Sequence, residues 1–139
     1  IFKMGRIIAI DYGQKRTGIA VTDELKIIAT GLTTVPSVQI FQFLQNYMSE
    51  NNVECIVVGE NKQMNNTPSE SARFIEPFVK KLGKTFPGIA IRRMDERFTS
   101  KMASRTLLDA GLKKKDRQNK ALVDTVSAVI ILQSYLETI

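Results

Sequence analysis

Apolar residues bunch into short runs and helical stripes along this chain. Arg6 to Asp11 (Arg-Ile-Ile-Ala-Ile-Asp) is a β-branched, apolar run, which predicts a central strand buried on both faces. Tyr12 to Arg16 contains Gly13 and reads as a turn. Thr17 to Thr22 predicts a second strand, close enough for a hairpin. Ile27 to Val35 predicts a third, which Pro36 ends. Ser37 then stands where a cap would, opening a helix to about Ser49. Val38, Phe41, Leu44, Gln45 and Met48 fall on or near one stripe of it. Asn51-Asn52 is a break, and Val53 to Gly59 predicts a fourth, apolar strand.

A polar loop over 60–66 leads into Thr67-Pro68-Ser69-Glu70, a capping box with proline at the first helical position. The helix it opens runs to about Leu82, where Gly83 is the stop signal. Ile89 to Met94 predicts a fifth strand. Thr99 or Ser100 caps a third helix that Gly111 ends. Residues 112–119 are too polar to pack and predict a loop, and 120–137 predict a final helix. The order is β-β-β-α-β-α-β-α-α. It implies an α/β fold: a mixed sheet of about five strands, opened by a three-strand meander and covered by helices on both faces. No internal repeat, linker or low-complexity segment interrupts it. Residues 4–138 read as one domain, and 1–3, which precede Met4, as a vector remnant or an alternative start.

Composition narrows the chemistry. The 139 residues are 43% apolar and 24% charged, enough for one core and too apolar for global disorder. There is one cysteine, Cys55, and no histidine, which excludes internal disulfides, thiolate metal clusters, histidine-based triads and most zinc hydrolases. Carboxylates remain for acid, base or metal work. No apolar run is long enough for a membrane span and no signal peptide is visible, so a cytoplasmic setting is the default and no membrane partner is expected.

The net charge of +6 is not spread evenly. Segment 92–120 holds ten basic residues against four acidic ones, whereas the rest of the chain is balanced. The excess is either a solvated basic face or a footprint for a polyanion, because neutralising phosphates releases counterions and drives binding.

Three acidic positions stand out. Asp11 ends a buried strand, where a charge is costly unless it is paired, hydrogen-bonded or metal-bound; capping the turn through Gly13 is the alternative. Asp95-Glu96-Arg97 follows the fifth strand, so these acids share an edge with Asp11 if the two strands are parallel; an exposed acidic turn is the alternative. Asp124 lies in an apolar helix with small neighbours Ala121, Ser127 and Ala128, a face that can approach the sheet closely; pairing with Lys120 is the alternative. Carboxylates converging at a strand edge suit Mg²⁺ or Mn²⁺, ions that activate water at a phosphodiester.

Four stretches together resemble the YqgF (RuvX) family, described as Holliday-junction-resolvase-like and as pre-16S rRNA nucleases. They are Arg6-Ile-Ile-Ala-Ile-Asp11-Tyr-Gly13-Gln-Lys-Arg16-Thr-Gly18-Ile-Ala20, Ile56-Val-Val-Gly59, Asp95-Glu96-Arg97-Phe-Thr99-Ser100 with Ala103, and Lys120 through Asp124 with Ala128 to Leu136. The resemblance spans Met4 to Leu136. It implies a ribonuclease H-like fold and a metal-dependent nuclease site using Mg²⁺ or Mn²⁺. Asp11, Glu96 (or its neighbour Asp95) and Asp124 would be the catalytic ligands. Arg16 and Arg97 would orient phosphate or the acids, and Lys120 would contact the backbone. Lys101, Lys113, Lys114, Lys115 and Arg117, from the basic segment, join them as expected nucleic-acid contacts. The implied substrate is structured RNA, in particular precursor 16S ribosomal RNA in ribosomal precursor particles, with branched DNA as the alternative. After Gly59 the family's Leu-Pro and later glycine are replaced by Glu60-Asn61-Lys62, so Glu60 is either an extra metal ligand or a solvated loop acid.

Rival readings are a nucleic-acid-binding module that never cuts, and an actin-like or sugar-kinase-like ATPase, whose phosphate loop the Asp11-Tyr-Gly13…Gly18 hairpin resembles but which would need two such domains. A resolvase should be a dimer, for which Phe41, Phe43 and Tyr47 are a candidate surface, although core packing explains them better. A monomer or weak homodimer is expected.

Overall fold

The computed structural model describes residues 5–60, 72–95 and 119–139. Among the described residues there are five strands: β1 (Arg6–Tyr12), β2 (Arg16–Thr22), β3 (Ala29–Pro36), β4 (Val53–Glu60) and β5 (Ala90–Asp95). They form one sheet in the order β3-β2-β1-β4-β5. β1 pairs antiparallel with β2, and β2 with β3. β1 pairs parallel with β4, and β4 with β5. This is the mixed sheet expected from the pattern: hairpin turns can link the antiparallel meander, whereas the parallel pairs need helical crossovers. The carboxyl ends of β1, β4 and β5 consequently share one edge, where Tyr12, Glu60 and Asp95 terminate their strands.

The helices are α1 (Ile40–Glu50), α2 (Ala72–Thr85) and α3 (Lys120–Leu136), with a single 3-10 turn over Ser37–Gln39 ahead of α1. Ser37 does not cap α1 as expected. Its buried hydroxyl donates to the Gly13 carbonyl at 2.6 Å and shares a hydrogen bond with Thr17 Oγ1 at 2.8 Å. A buried hydroxyl must be satisfied, and here tertiary partners satisfy it, so the α-helix starts three residues later than Ser37 itself. The buried stripe shifts with it: Val38 is 93% exposed, while Ile40 and Leu44 enter the core. Gly83 does not stop α2 either. A side chain there would meet nothing, so the glycine sits on an open face, costing the helix about 1 kcal/mol relative to alanine. The packing of Leu82, Phe78 and Ile75 outweighs that cost, and the turn closes with Phe86 N donating to Leu82 O at 2.9 Å. At the start of α3, Asn119 is the cap, its side chain accepting from Leu122 N at 3.2 Å. The capping box at 67–70, the helix expected from Thr99 or Ser100 to Gly111 and most of the loop 112–119 lie outside the described residues.

Alternation along the strands sorts the core into two layers. Ile8, Ile10, Ile19, Val21, Ile56 and Val58 meet α1 and α2 on one face. Ile7, Ala9, Ala20, Cys55 and Val57 meet Ala128, Ile131 and Leu132 of α3 on the other. Phe43 and Tyr47 stack on one another and pack against the first layer, in keeping with the core reading of that helix. No described helix is long and apolar enough to cross a membrane.

Candidate functional site

Asp11 follows Ile7 and Ala9 in the alternation of β1, so it belongs to the α3 face of the sheet. Its neighbour Tyr12 belongs to the other face, where its ring stacks on Phe78 with centroids 4.0 Å apart. Directly across the hairpin, Asp11 is paired with Gly18 of β2. Two residues before Gly18, on the same face, stands Arg16. Its Nε donates to Asp124 Oδ2 of α3 at 2.8 Å, with the two side chains 40% and 21% exposed. Asp11 and Asp124, far apart in the chain, are therefore brought to one corner of the molecule, at the carboxyl end of β1.

The electrostatics of this corner are unfavourable for two carboxylates. Burial, and next to it the negative charge of Asp124, push the Asp11 carboxyl up from its ordinary 3.8 to about 7. Arg16 offsets part of the charge, but its hydrogen bond goes to Asp124. A carboxylate pair that cannot comfortably hold both charges marks a functional corner more often than a structural one.

Several residues that hold this corner together carry no obvious signal in the sequence. The loop between β1 and β2 is closed by Gly13 N donating to Arg16 O at 3.0 Å. Ser37 fastens that loop from the start of α1, through its side chain to Gly13 and through Ser37 N donating to Lys15 O at 2.9 Å. Thr34 of β3 fastens α3: its hydroxyl lies 2.7 Å from Ala121 O and 2.6 Å from Thr125 Oγ1. A serine after a proline and a threonine in a strand are too common to be singled out by type alone.

The other expected site residues divide into three groups. Lys120 is exposed in the first turn of α3, one turn before Asp124. Asp95 is exposed and keeps step with Ile91 and Arg93, on the α1/α2 side, whereas Ala90 and Met94 pack toward α3. The end of β5 therefore separates Asp95 from Asp11. Glu60 ends β4 in register with Asp95. Glu96, Arg97, Lys101, Lys113, Lys114, Lys115 and Arg117 lie outside the described residues. Among the described residues no three acidic, histidine or cysteine side chains converge into a metal cluster, leaving Asp11 and Asp124 as a two-carboxylate core. All of their donors are oxygens, the set that hard divalent cations such as Mg²⁺ and Mn²⁺ take.

Comparison with known proteins gives the family and the fold. Residues 5–138 match the RuvX family model, described as Holliday junction resolvase. A Bacteroides fragilis protein named "Putative pre-16S rRNA nuclease" is 62% identical over 135 residues, covering 97% of this chain and 98% of the relative. A Flavobacterium psychrophilum protein of the same name is 61% identical over 133 residues, covering 96% and 97%. Among solved structures, T. thermophilus RuvC in complex with a Holliday junction substrate superimposes with a TM-score of 0.54 at 17% identity, covering 96% of this chain and 94% of that one. At that identity the likeness is one of fold, the ribonuclease H-like arrangement of sheet and helices.

Proposed function

The chain belongs to the RuvX family, and from that membership we propose that it is a divalent-metal-dependent endonuclease that matures the 5′ end of precursor 16S ribosomal RNA. The observation that carries the proposal is the corner shared by Asp11 and Asp124, with Arg16 bridging to the helix acid. Residues 4–138 act as one nuclease domain in the cytoplasm, as a monomer or weak homodimer, on RNA within ribosomal precursor particles.

Asp11 and Asp124 would hold Mg²⁺ or Mn²⁺, with Glu96 as the third ligand; Asp95 keeps step with the opposite face of the sheet. Such an ion, when bound, supplies an activated water and a counter-charge for the leaving oxygen of a phosphodiester. The chain's own groups do the rest. Arg16 fixes one oxygen of Asp124, so that the other is free to face a ligand. The burial that raises the Asp11 pKa makes that carboxyl a poor free anion and a good ligand for a cation. Lys120, on the exposed first turn of α3, is placed to meet a phosphate beside the acids. Arg97, Lys101, Lys113, Lys114, Lys115 and Arg117 extend the contact along the substrate backbone. Glu60 ends β4 in register with Asp95 and, like it, is left out of the ligand set.

Cleavage of labelled precursor ribosomal RNA and of a four-way DNA junction, side by side, tests the proposal. Each substrate is given Mn²⁺, Mg²⁺ or EDTA, with wild type and Asp11→Asn. Metal-dependent RNA cleavage that vanishes in Asp11→Asn is the expected result. Cutting of the junction alone moves the assignment to a resolvase. Steeply salt-dependent RNA binding by both proteins, without cleavage, leaves a binding module.

A further inference from the structure

Gly18 sits between the two acids, and the structure carries its role further than the family motif does. It is the cross-strand partner of Asp11, and the backbone of α3 rests on it. A Cβ added at Gly18 would overlap the Asp124 carbonyl carbon and oxygen and would stand 3.0 Å from Thr125 N. These are backbone atoms of a helix, which cannot swing aside as the end of a side chain can. No other described glycine faces a helix backbone in this way. Gly31, on β3, also lies under α3, but a Cβ there would meet only methyl groups, Thr125 Cγ2 at 2.8 Å and Val129 Cγ2 at 3.3 Å.

We propose that Gly18 is a positioning residue: the missing side chain seats α3 directly on β2, with Thr34 pinning the helix from β3, and this seat sets the separation of the Asp11 and Asp124 carboxylates. The inference rests on the nuclease reading for its consequence in catalysis, but its geometry does not. Any side chain at Gly18 lifts Asp124 away from Asp11 while changing no acid in the sequence. The damage should therefore be repaired by lengthening the acid, because a glutamate at 124 reaches back by one methylene.

The test compares wild type, Gly18→Ala, Gly31→Ala, Asp124→Glu and the double variant Gly18→Ala/Asp124→Glu. Stability, Mn²⁺ affinity by calorimetry, and kcat and KM on precursor ribosomal RNA are measured for each. Gly18→Ala is expected to lose about 100-fold in kcat with KM within about 3-fold, and to weaken Mn²⁺ about 10-fold. Gly31→Ala should lose stability yet keep kcat within about 3-fold of wild type. The double variant should regain about 10-fold in kcat over Gly18→Ala, although Asp124→Glu alone is slower than wild type. Equal losses of kcat in the two glycine variants, or no recovery in the double variant, overturn the proposal. Should Gly18→Ala not fold, Thr34→Val unpins the same seat without adding bulk, and a kcat equal to wild type overturns it. A wild type that neither cuts nor binds Mn²⁺ removes the nuclease reading alone; a crystal structure of Gly18→Ala then decides. A displaced α3 at Asp124 supports the proposal, and an unmoved one overturns it.

Discussion

The two faces of the sheet are built for different ends. On the α1/α2 face, large branched side chains from β1, β2 and β4 meet Ile40, Leu44, Phe78 and Leu82, and the aromatic ring of Tyr12 closes the layer against Phe78. On the α3 face Ala9, Ala20 and Gly18 stand beside Ile7, Cys55 and Val57, and at Gly18 the helix comes close enough for its backbone to touch the strand. Bulk fills the first face. The second gives up bulk for proximity at Gly18, and Asp11, Arg16 and Asp124 all lie on that face. On the proposed reading, stability and chemistry are divided between two sides of one strand, since Ile10 belongs to the first face and Asp11 to the second.

The largest effect expected from this division is on activity. Asp11→Asn should lower metal-dependent cleavage by about three orders of magnitude or more, with a far-ultraviolet circular dichroism spectrum like that of wild type, because it changes one charge and no packing volume. Conversely, Leu44→Ala should cost about 2–5 kcal/mol in chemical denaturation, through lost burial and the cavity it leaves, while the remaining folded protein keeps its kcat. A core variant that lost kcat in the folded state would break the division.

The pH dependence sharpens it. With metal removed by EDTA, Asp11 in the native protein keeps its proton up to about 7, whereas in the unfolded chain it ionises near 3.8. The stability contributed by the protonated form is complete below about pH 4 and is lost as the pH rises toward 7. The loss should be about 1–3 kcal/mol, discounted for the solvent that reaches this corner, and urea titrations at pH 5 and pH 8 measure it. Asp11→Asn should flatten that slope. The smallest effect belongs to a position on neither face: Val38→Ala, on an exposed side chain, should change stability by less than about 0.5 kcal/mol.

How much of this was legible in the chain follows from where each residue finds its partners. The strands were, because alternating or continuous apolar runs report burial directly, and observed ends fall within about two residues of the expected ones. Asp11 and Asp124 stand out as candidates because a carboxylate in an apolar strand or helix is an exception that asks for a reason, and the structure brings the two to one corner. Ser37 reads as a helix cap, but its partners, Gly13 and Thr17, are tertiary. Gly83 looked like a stop, yet packing by its neighbours carried the helix past it. Small helix residues predict the close approach of α3, but the sheet contributes to it too, at Gly18, whose contact with Asp124 joins opposite ends of the chain. Local sequence does not encode such a contact.

The central claim is that Asp11 is kept in an unfavourable place for the sake of the site. Thermal melts of wild type and Asp11→Asn at pH 8, each in EDTA and in Mn²⁺, test it most directly. The expected result is that Asp11→Asn melts several degrees higher than wild type in EDTA, and that Mn²⁺ raises the midpoint of wild type alone. A variant no more stable than wild type in EDTA, or an equal rise with Mn²⁺ in both proteins, contradicts the claim.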